Sequence, residues 1–82
     1  MYEIEFTKTA ESQFLKLDKE LQLRIRNVLK RICVRPYPHV ARLVGSPFYR
    51  LRVGRYRIVL DICDEKVLIY VIKLGHRENI YL

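Results

Sequence analysis

The sequence predicts an α+β fold: an antiparallel β-sheet with an N-terminal helical hairpin packed on one face, in the order β-α-α-β-β-β. Three observations carry this. Apolar residues recur with helical spacing through much of residues 10–32 and with strand-like alternation from residue 48 onward. The segment between them holds all three prolines and Gly45, which interrupt both patterns. Runs of helix and runs of strand that segregate along the chain pack as separate layers. With 82 residues, half of them hydrophobic, the chain forms one domain, residues 1–82, with enough apolar side chain for a core.

The first strand is Tyr2–Phe6, where apolar and acidic residues alternate. Thr7 or Thr9 can cap the helix that follows, Glu11 suits its early turns, and Ala10, Phe14 and Leu17 form its apolar stripe. Asp18 reads as a second N-cap. The longer helix then runs from about residue 19 to 33 with Leu21, Ile25, Val28, Leu29 and Ile32 inward. The run Arg35-Pro36-Tyr37-Pro38 stops it, because the residue before a proline is pushed out of the α region. The very short joint between the helices predicts an antiparallel pair. Residues 34–47 are expected to be a loop. Three strands follow: Phe48–Val53, Tyr56–Ile62 and Val67–Leu74, with turns at Gly54 and at Asp64-Glu65. The last is apolar on both faces, as a strand inside a sheet should be.

No apolar run approaches the roughly 20 residues that span a bilayer, and the acidic, alternating N-terminus is unlike a secretory signal. The expectation is a soluble cytoplasmic protein without a membrane partner. Cys33 and Cys63 lie far apart and form no metal-binding spacing, so they are expected as reduced thiols.

Charge is the informative feature. The net charge is +7, and residues 34–60 contribute six arginines and no acid. A block this polarised points to an anionic partner, most simply a nucleic acid. Within it, Arg50 and Arg52 share one face of their strand, and Arg55 and Arg57 share one face of the next. A two-residue loop of Gly54-Arg55 pairs Arg52 with Arg57. A loop of Val53-Gly54 pairs Arg52 with Arg55 and Arg50 with Arg57. Both registers oppose like charges across the ladder, which is destabilising unless an anion intervenes. An odd loop length would set arginine against tyrosine instead. The structural alternative is guanidiniums splayed into water or paired with Glu3, Glu5 or Glu78. By parity Tyr49 and Tyr56 lie on the face opposite the arginines, toward the helices. Arginine with interleaved aromatic residues suits single-stranded RNA. The tail "GHRENIY" clusters His76, Arg77, Glu78 and Tyr81, side chains able to move protons, hold a phosphate or orient a nucleotide.

The run Tyr49-Arg-x-Arg-x-Gly-x-Tyr56-Arg57, then an apolar strand and Gly75-x-Arg77-x-x-x-Tyr81, resembles the RelE/ParE superfamily of toxin–antitoxin toxins, and the likeness extends over essentially the whole chain. The resemblance to its RelE-like branch implies a ribosome-dependent endoribonuclease that cuts mRNA in the A site. There the 2′-hydroxyl attacks the adjacent phosphate and leaves a 2′,3′-cyclic phosphate and a 5′-hydroxyl. It implies that Arg50, Arg52 and Arg57 bind the scissile phosphate and stabilise its transition state, that Arg77 lies near the leaving oxygen, and that Tyr81 stacks on or orients a nucleotide. Better-known members carry lysines where this chain has Arg50 and Arg52. Arginine is effectively never deprotonated, so a general-base role there is disfavoured. The resemblance further implies a RelB-like antitoxin as partner, operator DNA bound through the antitoxin complex, and no metal or cofactor. A ParE-like gyrase inhibitor and a non-catalytic RNA-binding module are the alternatives.

Overall fold

The computed structural model describes residues 1–76. Strand β1 (Glu3–Phe6) leads into helices α1 (Lys8–Leu15) and α2 (Lys19–Ile32). Then come a 3₁₀ turn (Tyr37–His39) and strands β2 (Ala41–Arg42), β3 (Tyr49–Val53), β4 (Tyr56–Cys63) and β5 (Leu68–His76). The sheet order is β1-β5-β4-β3-β2.

Both helices start where the sequence places a cap. Thr7 Oγ1 accepts from the Ala10 N–H at 3.1 Å, and Asp18 Oδ1 accepts from the Leu21 N–H at 2.8 Å, each satisfying an orphan donor of a first turn. Ala10 and Phe14 of α1 and Ile25, Leu29 and Ile32 of α2 pack with Leu51, Val53, Ile58, Leu60, Ile69, Val71 and Leu74 of the sheet. Leu21 and Val28 join as half-buried neighbours, and so does Leu17 from the joint between the helices. Each fully buried aliphatic contributes about 1.5–3 kcal/mol in transfer free energy, so this single layer of contacts holds the helices on one face.

The sheet is mixed, and the expected antiparallel sheet is corrected at β1. β3, β4 and β5 form the antiparallel meander, but β1 lies beside β5 and runs parallel to it, with Ile4 facing Ile69 and Phe6 facing Val71. A strand apolar on both faces needs neighbours on both sides, and β1 supplies the second. Where β1 stops, Thr7 continues the pairing, its N–H donating to the Val71 carbonyl at 3.0 Å and its hydroxyl to the Ile72 carbonyl at 2.6 Å. One step on, the Leu74 N–H donates to Gln13 Oε1 of α1 at 2.8 Å. The exposed edge of β5 is thus closed by side chains rather than by more strand.

Residues 34–47 are also corrected: they contain the 3₁₀ turn and the short edge strand β2, which pairs Ala41 with Arg50 and Arg42 with Tyr49. Pro36 starts the 3₁₀ turn, and Leu43 folds back under the sheet with Phe48, Val59 and Ile72 as a second, smaller apolar cluster. The β4–β5 connection spans residues 64–67 rather than a tight pair, and Val67 takes φ 51°, a left-handed conformation costly for a β-branched residue. Both cysteines are free thiols; Cys33 is buried, its Sγ donates to the Leu29 carbonyl at 3.2 Å, and burial pushes its pKa up.

Candidate nucleic-acid interface on the open sheet face

The face of the sheet away from the helices carries the arginines. The β3–β4 loop is Gly54-Arg55: Val53 pairs with Tyr56 and Arg52 with Arg57. Gly54 has φ 59°, the positive value that the first position of a tight II′-type hairpin turn requires. Of the two registers weighed from sequence, this is the one that sets Arg52 directly across from Arg57, with Cβ atoms about 4.5–5.5 Å apart by ladder geometry. The row continues to Gly75 on β5, which brings no side chain. The next row runs Ala41, Arg50, Val59, Lys73, and Val59 is fully buried beneath Leu43 and Phe48. Arg50 therefore stands on an apolar base next to the Arg52–Arg57 pair.

No carboxylate among the described residues forms an ion pair with Arg50, Arg52 or Arg57. Arg52 is exposed and the other two are half-buried. Arg57 Nε is shut off from solvent without an acceptor among the described residues. Guanidinium groups held this close, part-desolvated and uncompensated, make a local positive potential that an anion relieves. Glu3 and Glu5, one alternative set of partners, sit at the other end of the same face, opposite Leu68 and Tyr70. Glu78, Arg77 and Tyr81 lie outside the described residues.

The aromatic residues divide as parity predicts. Tyr49 and Tyr56 are on the helix-side face, but at its margins rather than in the core. Tyr49 meets Tyr37 edge-on at 5.7 Å and takes the Arg42 guanidinium over its ring at 5.2 Å, with an Arg42 Nη2 hydrogen bond to its hydroxyl at 3.1 Å. Tyr56 meets His76 edge-on at 5.7 Å. His76 is thereby placed on the face opposite Arg52 and Arg57. Two cations near the hairpin escaped sequence reasoning. Lys73 faces the same side as the arginines because a bulge between Val59 and Leu60 shifts the β4–β5 register, and alternation counted through a bulge assigns the wrong face. Arg24 reaches the hairpin turn from α2.

A family model described as the ParE toxin of the type II toxin-antitoxin system, parDE, matches residues 4–81. The chain belongs to the RelE/ParE superfamily of toxins. Among curated relatives of this superfamily, the mRNA interferase toxin RelE of Escherichia coli strain K12 is 30% identical over 81 residues, covering 95% of this chain and 85% of the relative. A second E. coli protein, named for its likeness to RelE, is 34% identical over the same length and coverage. Among solved RelE structures, the isolated E. coli toxin superposes with a TM-score of 0.85 at 26% identity, covering 98% of this chain and 88% of that one. The toxin in the intact E. coli RelBE toxin-antitoxin complex gives 0.83 at 26% identity, covering 96% and 100%.

Proposed function

We propose that this chain is the RelE-type toxin of a toxin–antitoxin pair and a ribosome-dependent endoribonuclease that cuts mRNA in the A site. The observation that carries the reading is the in-register Arg52–Arg57 pair with Arg50 on the same face, uncompensated by any carboxylate among the described residues. The likeness to a relative named mRNA interferase supports RNA as the anion.

In this reading the 2′-hydroxyl oxygen of one nucleotide attacks the adjacent phosphorus, and the P–O5′ bond breaks. The products are a 2′,3′-cyclic phosphate and a 5′-hydroxyl. Negative charge builds on the non-bridging oxygens of the phosphorane, and Arg50, Arg52 and Arg57 are preorganised to meet it. A guanidinium carries donors and no acceptor. The three act as electrostatic clamps, not bases, and the 2′-hydroxyl proton leaves to another acceptor. Arg77, near the leaving 5′-oxygen, and Tyr81, on a nucleotide, take their roles from the motif they match. Much of the alignment of the attacking oxygen comes from the ribosome holding the RNA, so the isolated toxin is a poor nuclease. A RelB-like antitoxin is the expected protein partner, as in the E. coli RelBE toxin-antitoxin complex. Operator DNA is bound through that complex.

The test adds purified protein to translating ribosomes and maps mRNA ends. Cleavage in the A-site codon with 2′,3′-cyclic phosphate ends is expected, and Arg57→Ala lowers the rate by about 10²–10³, the usual effect of removing one transition-state donor. The family model is named for ParE, which keeps one competing outcome in view. Intact mRNA together with blocked supercoiling by gyrase rejects the ribonuclease reading and establishes the gyrase-inhibitor one.

A further inference from the structure

Arg24 belongs to α2, on the side of the sheet opposite the arginine row, yet the fold brings it to the same hairpin. A Cβ placed on Gly54 would stand 3.1 Å from Arg24 Nη1 and 3.5 Å from its Cζ. The guanidinium is therefore seated against the backbone of the β3–β4 turn, in space that any residue other than glycine at 54 would fill. Ordering so long a side chain carries a large rotamer-entropy cost, and no carboxylate among the described residues offsets it. The second turn residue, Arg55, is exposed and follows Gly54 directly in the chain. Arg52 and Arg57 follow one ladder step behind the closing pair, on the open face. The positive surface thus passes around the end of the hairpin, from the open face through Arg55 to Arg24. A single reacting phosphate can occupy only one stretch of that path, whereas a chain of phosphates can follow it.

We propose that Arg24 and Arg55 form a second phosphate-binding point, distinct from Arg50, Arg52 and Arg57, that holds the RNA sugar–phosphate backbone flanking the reacting group. Both are binding residues, and neither touches the reacting atoms. The inference rests on RNA being the partner, as proposed above, and deepens that reading by giving the strand a path around the hairpin.

The experiment measures the affinity of the purified toxin for a fluorescently labelled single-stranded RNA oligonucleotide across a range of salt, alongside ribosomal cleavage. Arg24→Gln, Arg55→Gln, their double variant and Arg31→Gln are compared with the natural protein. Arg31 lies on the same helix, is exposed and carries the same charge, so its variant controls for net charge. Glutamine matches arginine in helix propensity, so the α2 variants keep their fold. Each tip variant is expected to lower the log–log salt slope by about 0.7, and the pair by about 1.4, with Arg31→Gln unchanged. Unchanged slopes in the tip variants, or an equal fall for Arg31→Gln, overturn the proposal. So does a loss confined to a poly-glutamate probe, which would make the tip an acidic-protein contact. Lowered RNA slopes in a toxin that never cleaves mRNA would sink the ribonuclease reading and leave the tip standing. Cleavage with unaltered slopes would do the reverse.

Discussion

The two turns that bracket β4 are built on opposite terms. The β3–β4 turn is two residues long, places its positive φ on Gly54 where it costs little, and carries Arg52, Arg55 and Arg57 without a carboxylate partner among the described residues. The β4–β5 turn places its positive φ on Val67, where it is costly, and centres on a carboxylate that is fully used. Asp64 accepts from the Tyr2 hydroxyl at 2.7 Å and from the Tyr37 hydroxyl at 2.8 Å. The strained Val67 turns its carbonyl toward the Glu3 N–H at 2.9 Å, while its own N–H closes the turn on the Asp64 carbonyl at 3.2 Å. One turn ties β1 and the segment after α2 into the sheet. The other leaves charge unsatisfied with no backbone strain at all. Uncompensated charge on a relaxed frame points to a ligand, and compensated charge on a strained frame points to architecture.

Between the turns, alternate residues of β4 divide these roles, and there the largest difference is expected. Ile58 is fully buried against both helices, and Ile58→Ala should cost about 2–5 kcal/mol of stability. Its neighbour Arg57 faces the other side. Arg57→Ala removes a like charge opposite Arg52 and should leave stability unchanged or raise it by up to about 1 kcal/mol. Urea denaturation of the two variants measures both. Should Arg57→Ala unfold as easily as Ile58→Ala, the arginine is a packing residue and its assignment to RNA fails.

The strained turn gives the next effect. A non-glycine residue at positive φ stores about 1–3 kcal/mol, and glycine returns part of that through its freer unfolded chain. Val67→Gly is expected to raise stability by about 1 kcal/mol, seen as a higher urea midpoint at an unchanged slope. A fall would mean that the half-exposed Val67 side chain packs usefully, and that the contrast between the turns rests on Asp64 alone.

How far each turn could be read from sequence follows from the range of its determinants. Thr7, Asp18, the Gly54-Arg55 loop and the Arg52–Arg57 pair are set within a few residues of themselves; local rules report Asp18 directly and narrow the others to a short choice, Thr7 against Thr9 and one hairpin register against its alternatives. The partner of β1 was invisible, because alternation tells which face of a strand is buried and not which strand lies beside it. No local signal foretells positive φ at Val67, which is neither glycine nor asparagine; the conformation is imposed by closure onto Glu3. Lys73 was hidden by the β-bulge, and Arg24 by its place on a helix whose polar residues read as solvated. Tyr2 and Asp64 stand 62 residues apart, and two tyrosines on one carboxylate have no spacing rule. Arg77 and Tyr81, singled out by the chemistry of the tail and by the family motif, lie outside the described residues.

The Asp64 knot supplies the subtlest test, because its signature is a dependence on pH. Hydrogen bonds from Tyr2 and then Tyr37 hold the Asp64 carboxyl below its usual 3.8, and burial opposes them only in part. A depressed carboxyl stabilises the fold above its unfolded value and loses that contribution as pH falls through the folded one. The same bond, with smaller help from burial, pushes the Tyr37 hydroxyl from 10.0 to about 12. A raised group stabilises below its unfolded value, so this contribution fades between those two figures as pH rises. Asp64→Asn keeps one acceptor oxygen but removes the charge. Its denaturation midpoint should lie below the natural protein's near neutrality and converge on it as pH drops below 3.8, with a second convergence on the alkaline side. Tyr37→Phe should weaken both limbs and abolish neither, since Tyr2 still donates to Asp64 and its own hydroxyl is raised by that bond. Parallel curves for Asp64→Asn and the natural chain at every pH would show that the carboxylate adds nothing to the knot beyond an acceptor atom.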